Sequence, residues 1–433
     1  MGRSAFTRHE TSLGEDCLPL PQVHAHNPVK QIGDSPLMQV LEGIKVVELG
    51  QLIAGPFAAK TLADFGARVI KVEPPKTGDA LRKWRKLRDG TSVWWDAQSR
   101  NKESVCIDLR VPEGQALVRE LVRDADVLIE NFRPGSMEAW GLGWDALHAL
   151  NPKLIMLSLS GFGQTGPRAS EPGFAAVAEA FSGLRYLNAE PGRTPVRSGV
   201  SLGDTVAGVH GALGVMLALY ARDARGGQGQ RIDLALYEAM FNLSESLLPE
   251  YDVFGEVRRP AGGALPGITP SNAYACADGQ AVLIAGNGDS IFKRLMLMIG
   301  RKDLADDPTL AANDGRSQRA AELDAAIGAW TGQRSLDDVL ARMRDAGVPA
   351  SRVYTIAEIA ADEHYAARGN IERIPTMSGG TIAAPGIVPK LSGTPGAVRH
   401  AAPRLGQHTD DVLAQAGLAP ERIAALRRDG VIE

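Results

Sequence analysis

IKVVELGQLIAGPFAAKTLADFGARVIKVE, residues 44–73, decides the fold class. IKVVELG is a short apolar run that stops at Gly50, and Pro56 then opens a helix-like PFAAKTLADFGA. Proline is compatible with the first turn of a helix, where its missing N–H costs nothing. RVIKVE is a second apolar run. Strand, helix and strand at this spacing predict a parallel βαβ unit. The alternation continues through SVCIDL, the helix PEGQALVRELVRDA, the strand DVLIEN, a short helix after Gly143 and the strand KLIMLSLS. Such a sequence predicts a mostly parallel, doubly wound α/β sheet, whose ligands sit at the C-terminal ends of the strands. The loops at those ends are GQLIAGP, EPPKTGD, ENFRPG and SGFGQTGP.

Further on, GDTVAGVHGALGVMLALYARDA predicts a helix from about 204 to 224, followed by the glycine-rich ARGGQGQ, the strand RIDLAL and the helix YEAMFNLSESLL. Composition shifts near Arg258, where RRPAGGALPGITP is rich in proline and glycine. A second unit then contains the strand AVLIAGNG, the helix SIFKRLMLMIG and helices around 317–330 and 335–346. The tail from about 385 is loop-rich until TDDVLAQAGL and PERIAALRRDG.

The 433 residues are 44% hydrophobic and 23% charged, with a formal charge of −4. That balance suits a globular protein and offers no attraction to nucleic acid or an anionic membrane. Cys17, Cys106 and Cys276 have neither disulfide-framework nor metal-ligand spacing, which suits a reducing cytoplasm. No run approaches eighteen consecutive apolar residues, and the first 39 residues carry Glu10, Glu15 and Asp16 without an apolar core. They read as an irregular tail, neither secretory signal nor transit peptide.

SLSGFGQTGP holds a literal G-x-G-x-x-G at Gly161, Gly163 and Gly166. A dinucleotide site needs a helix starting inside the motif and an acidic residue ending the next strand. Here Pro167 follows the last glycine, Pro172-Gly173 breaks any helix, and neither Glu179 nor Glu190 ends a strand-like run. The nicotinamide reading falls, and a flexible loop at the mouth of a site replaces it.

Asp204, in SLGDTVAGVHGALG, falls at a helix start, where unpaired N–H groups and the helix dipole favour a carboxylate. From the residues alone it is either an N-cap or a carboxylate held as a nucleophile. Gly208, Gly211 and Gly214 follow at spacing three, which lets another backbone or a ligand approach that helix closely.

LEGIKVVELGQLIAGPFAAKTLADFGARVIKVEPPKTGD, SRNKESVCIDLR, DVLIENFRPGSMEAWGLGW, LSLSGFGQTGP, VRSGVSLGDTVAG, GQGQRIDLALYEAM and PRLGQHTDDVL occur in that order. Together they resemble the class III CoA-transferases, the formyl-CoA transferase and carnitine CoA-transferase family, from about Leu41 to the C-terminus. The resemblance implies an interlocked, ring-like homodimer. It also implies a large Rossmann-like domain with a parallel sheet, completed by the C-terminal tail, and a smaller α/β domain. The corresponding division is a tail at 1–39, the first part of the large domain at 40–225, a connecting strand and helix at 226–257, the small domain at 258–350, and a linker and return at 351–433. It further implies no permanently bound cofactor and no metal, with coenzyme A and acyl-CoA as substrates. Asp204 matches the family nucleophile. Gly161, Gly163 and the GNG at Gly286 to Gly288 are candidates for the lid and oxyanion donors such a reaction needs, although the glycine-rich lid of formyl-CoA transferases is not present as such.

Ala54, Ile107, Arg110, Asn131, Phe132 and Arg133 match CoA-contacting positions by the same resemblance. Arg110 and Arg133 suit the CoA phosphates, although either also reads as a solvated surface arginine. Pro74 and Ala139 replace two CoA-contacting arginines of some members, which leaves Lys76, Arg82 or Lys83 to compensate. RTPVRSGVSLGD resembles branches that use succinyl-CoA and a dicarboxylate, with Arg197 as partner of a distal carboxylate. The homologous α-methylacyl-CoA racemases need a histidine where Phe174 and Ala175 stand. A non-catalytic acyl-CoA-binding protein would not need the Gly203-Asp204 step.

Overall fold

The alternation read from residues 44–73 folds as a single sheet. Its strands are β1 (Lys45–Glu48), β2 (Arg68–Glu73), β3 (Lys102–Cys106), β4 (Val127–Glu130), β5 (Ile155–Ser160) and β6 (Arg231–Ala235). Every pairing is parallel, and the spatial order is β3–β2–β1–β4–β5–β6. The computed structural model describes residues 39–433, so the expected tail at 1–39, save its last residue, and Cys17 lie outside the described residues.

Successive residues of a strand point to opposite faces, and both faces here are apolar. Val46, Val69, Ile129 and Leu157 pack with Ala58 and Leu62 of α1 (Ala54–Asp64) and with Ala207 and Val215 of the helix Leu202–Arg225. Val47, Ile70, Leu128 and Met156 pack on the other face with Leu117 and Leu121 of α2 (Pro112–Val122). Two C-terminal helices, Thr409–Gln415 and Pro420–Arg428, close that second core through Leu413 and Leu426. The return of the chain also covers the exposed edge of β3. His408 Nδ1 accepts the Ser104 N–H at 3.1 Å, Thr409 Oγ1 accepts the Cys106 N–H at 3.1 Å, and Ile432 bridges to Ile107.

Next along the chain come α3 (Ala175–Phe181), α4 (Leu202–Arg225) and α5 (Leu236–Phe241). Among the described residues α4 is long and apolar enough to cross a membrane, yet its small residues seat it on α1 and the sheet. A Cβ on Gly208 would stand 2.9 Å from the Ala54 carbonyl oxygen, and one on Gly211 would stand 2.9 Å from Leu157 Cδ2. The glycine spacing thus serves close approach of a second helix. A separate core surrounds the antiparallel strands β7 (Ser271–Ala275), β8 (Ala281–Ala285) and β9 (Ala350–Arg352). Three helices, Asp289–Met298, Ala320–Thr331 and Leu336–Asp345, pack there on Val282, Ile284 and Tyr274.

The sheet carries charge in its interior. Lys71 Nζ lies 2.7 Å from Glu48 Oε1 and 2.9 Å from Asp79 Oδ2, and donates to the Gly50 carbonyl. Lys102 Nζ lies 2.8 Å from Glu48 Oε2 and donates to the Pro56 carbonyl. Glu73 takes a bidentate pair from Arg82, whose guanidinium stacks 3.7 Å from the Trp95 ring. All are buried. Removing one member of a buried pair leaves an uncompensated charge. Lys71→Met is therefore expected to destabilise the fold by about 3–5 kcal/mol. The measurement is the urea midpoint; an unchanged midpoint would show that Glu48 and Asp79 do not depend on Lys71.

Candidate active site

The walk of the chain reverses direction between β1 and β4, and a sheet of this order opens a crevice at the C-terminal ends of those strands. A cavity of about 1050 Å³ lies there, and Gln51, Ala54, Asn131, Gly161, Arg197 and Asp204 are among its walls. Asn131 ties the two strand-end loops together, its Oδ1 accepting the Gln51 N–H and its Nδ2 donating to the Gln51 carbonyl, both at 2.8 Å. Leu52 beside it has a φ of 66°, a left-handed conformation uncommon for a residue with a side chain. Asp79 holds it there by accepting the Leu52 N–H on both carboxylate oxygens at 3.1 Å.

Asp204 occupies the third position of α4. Ser201 stands at the N-cap, and no side chain makes the capping hydrogen bond, so Asp204 is not the cap. Burial pushes its carboxyl up, Glu179 adds to the rise, and Arg197 offsets part of it, leaving the pKa at about 6. An aspartate at the head of a helix is ordinarily favoured as the anion. Here the apolar wall and a neighbouring carboxylate outweigh the dipole.

The other expected residues divide. Ala54, Asn131, Phe132, Arg133 and Gly161 line the same cavity as Asp204 and Arg197. Phe132 packs edge-on against Trp140 at 5.0 Å, and Arg133 is exposed. Gly161 passes the Gly173 backbone so closely that a Cβ would stand 2.8 Å from Gly173 Cα. Gly163 is outside the cavity wall and gives its N–H to Ser160 Oγ at 2.9 Å. Ile107 is fully buried under the C-terminal helices, and Arg110, 80% exposed, forks onto Asp108. Gly286 and Gly288 belong to the separate antiparallel unit and do not line this cavity.

Of the residues set against the missing arginines at Pro74 and Ala139, Arg82 is committed to Glu73 and Lys83 gives its ammonium to the Gly90 carbonyl. The Lys76 backbone N–H is taken by Glu433. Besides Arg133 and Arg197, the cavity is lined by Arg85, next to Trp84, and the sequence reading passed over both Arg85 and Trp84. Their segment has no periodicity: it follows a single 3-10 turn and enters a two-residue hairpin strand. Glu179 was weighed only as the acidic residue of a dinucleotide site and set aside, because its place beside Gly203 and Arg197 is a tertiary contact.

A strand-end cavity walled by a free carboxylate, arginines and small residues is suited to acyl transfer. The comparisons agree. The chain belongs to CoA-transferase family III, whose profile it matches over residues 41–409, and it is a class III CoA-transferase. It is 46% identical to a succinyl-CoA–D-citramalate CoA-transferase of Chloroflexus aurantiacus, over 90% of this chain and 98% of that protein. It is 41% identical to the beta subunit of a succinyl-CoA–L-malate CoA-transferase of the same organism, over 90% of this chain and 98% of that one. A crystal structure of a CaiB/BaiF family protein from Brucella suis superposes with a TM-score of 0.77 at 35% identity, covering 87% of this chain and 99% of that one.

The raised Asp204 carboxyl has a stability consequence. The folded chain binds this proton more tightly than the unfolded chain does, so stability falls as pH rises from about 4 to about 6. Asp204→Asn removes the buried charge. It is expected to raise the thermal midpoint at about pH 8 and to narrow the gap between the midpoints at about pH 4 and about pH 8. Equal midpoints for wild type and variant across that range would show that the charge is not strained.

Proposed function

We propose that this enzyme moves coenzyme A from succinyl-CoA to a small dicarboxylic acid through covalent intermediates on Asp204. The observation that carries the reading is an uncapped, half-buried carboxylate in the same cavity wall as Arg197. The relatives named above support the substrate class, because succinate, citramalate and malate each carry two carboxylates. In the first step an Asp204 oxygen attacks the thioester carbonyl, giving a mixed anhydride and the CoA thiolate. The thiolate then attacks the aspartyl carbonyl, which releases the donor acid and leaves an aspartyl-CoA thioester. The acceptor carboxylate then attacks the aspartyl carbonyl, expelling the CoA thiolate and forming a second mixed anhydride. The thiolate attacks the acceptor's carbonyl in turn, giving the new acyl-CoA and freeing the Asp204 carboxylate. Each step trades one activated acyl group for another, so only water must be kept out. Oxyanions forming beside Gly161 would need N–H donors, and helix N-termini provide them. Ala54, Asn131, Phe132, Arg133 and Arg85 are the residues placed to receive CoA, and Arg197 to receive a distal carboxylate.

The strand order supports a Rossmann-like large domain, and the C-terminal helices on its second face support the expected return at 351–433. A homodimer is part of the proposal. Val209, Leu213, Leu217 and Tyr220 of α4 are exposed along one side of the helix. An apolar face of that extent is covered in most proteins. An interlocked pair buries it and supplies a setting in which Gly286 and Gly288 approach a CoA site of the assembly.

Mass spectrometry of the enzyme mixed with succinyl-CoA and hydroxylamine should show an adduct on the peptide carrying Asp204, and none in Asp204→Ala. An active Asp204→Ala enzyme overturns the assignment. Because the attacking group must be the anion, kcat/KM should fall as pH drops through about 6. Arg197→Ala should raise KM for dicarboxylates roughly tenfold more than for a monocarboxylate; equal effects would remove the basis for a dicarboxylate site.

A further inference from the structure

Glu179 takes no step in the exchange described above, yet it lies behind the cavity wall in contact with the residue before Asp204 and beside Arg197. It lies on α3 and is 4% exposed. A carboxylate at that depth needs partners. Its Oε1 accepts the N–H of Gly203, the residue before Asp204, at 3.3 Å. Its Oε2 faces Arg197 Nε at 3.9 Å and Arg185 Nη1 at 4.0 Å. Those distances exceed hydrogen-bond length, so charge holds the two guanidinium groups close while leaving their donors free. Arg185 spends one donor on the Ala176 carbonyl at 3.4 Å, whereas Arg197, with its side chain 45% exposed, reaches the cavity.

We infer that Glu179 is a positioning residue. It fixes Gly203, and so the head of α4, and it holds Arg197 off Asp204 as a ready anchor for the acceptor's distal carboxylate. The inference deepens the reading of Asp204 and Arg197 given above and rests on it. Without the Glu179 charge, Arg197 is left with Asp204 as the carboxylate sharing its cavity. A direct pair would lower the basicity of the nucleophile and occupy the anchor at the same time. Three other charged or titratable groups on helices around the site are engaged elsewhere, whereas Arg85 joins Arg133 in the cavity. Lys60 of α1 faces Asp64 at 3.2 Å, and Glu238 of α5 accepts the Ala235 N–H at 2.9 Å. His210, on α4 itself, bonds the Val206 carbonyl at 2.9 Å. Arg133 lies on the same cavity wall.

Glu179→Gln tests the inference in the full-length enzyme, because the amide oxygen still accepts from Gly203 while the charge is gone. The acidic limb of kcat/KM should move down by about one pH unit. KM for a dicarboxylic acceptor should rise roughly tenfold, with KM for a monocarboxylic acceptor unchanged. Glu179→Asp should keep the limb near its wild-type position. Arg197→Gln, on an exposed side chain that folding does not depend on, probes the same arrangement from the other side. It should move the limb upward and abolish the dicarboxylate preference. A Glu179→Gln enzyme with the wild-type limb and wild-type KM ratio overturns the positioning role, as does an unmoved limb in Arg197→Gln. A wild-type protein that passes CoA to no carboxylic acid overturns the underlying reading instead.

Discussion

The site depends on a set of charges that no solvent reaches. Glu48 and Glu73 end β1 and β2, so each carboxylate falls where its strand opens into a cavity-side loop. Lys71 and Lys102 answer Glu48 from β2 and β3, and Arg82 answers Glu73. The two ammonium groups also donate to the carbonyls of Gly50 and Pro56 on either side of the loop after β1. Burial pulls Lys71 down, but Asp79, Glu48 and Glu73 outweigh it and hold the group well above its ordinary value. Burial wins at Lys102, which falls to about 8. Two lysines of one network are thus driven apart by how many carboxylates surround each. The network fixes residues 50–53 from beneath, and Asp79 extends it to the left-handed Leu52. A hydrophobic layer of equal volume would serve stability as well, but it would not dictate the path of this loop. Fixing the loop fixes the start of α1, and α1 determines where α4 can rest.

That last dependence works through contact at backbone level. Gly208 lies four residues after Asp204, on the same face of α4, and it touches the Ala54 carbonyl and Phe57. The head of α4 is therefore placed by the head of α1, and the two N-termini converge on one cavity. Converging N-termini favour anions, and a CoA thioester and a carboxylic acid both bring them. The Gly161–Gly173 crossing fixes a further part of the cavity wall, where two loops pass closer than any side chain permits.

The alternating pattern made the sheet legible. RVIKVE became β2 at its full length, KLIMLSLS became β5, and the helix expected over 204–224 runs over Leu202–Arg225. SVCIDL was displaced: β3 begins at Lys102 and ends at Cys106, because the polar KES is buried beneath other parts of the chain and pairs with β2. A lysine inside a strand signals a solvated face in a local reading, and nothing local tells Lys71 or Lys102 that Glu48 and Asp79 await it. The C-terminal PRLGQHTDDVL was visible as a motif without a purpose. Its use, covering the β3 edge with His408 and Thr409, spans some three hundred residues of sequence. Arg82 was open to a ligand role in the sequence and turned instead to Glu73, while Arg85, three residues on, reached the cavity. Direction of a side chain in an aperiodic loop is decided by tertiary contacts alone.

The nucleophilic role proposed for Asp204 sets conflicting demands. Seclusion from water protects an anhydride, but seclusion also favours the protonated acid, which does not attack. Pairing Asp204 directly with an arginine would restore the anion and blunt it. Asp204 sits between these limits, since its pKa of about 6 leaves it ionised near neutral pH without a hydrogen-bonded partner among the described residues. The nearest cation, Arg197, is shared with Glu179 and stands clear of it. The balance is set by three residues on three segments, α3, α4 and the loop between them. Asp204 on its own would be only an acidic residue in the first turn of a helix.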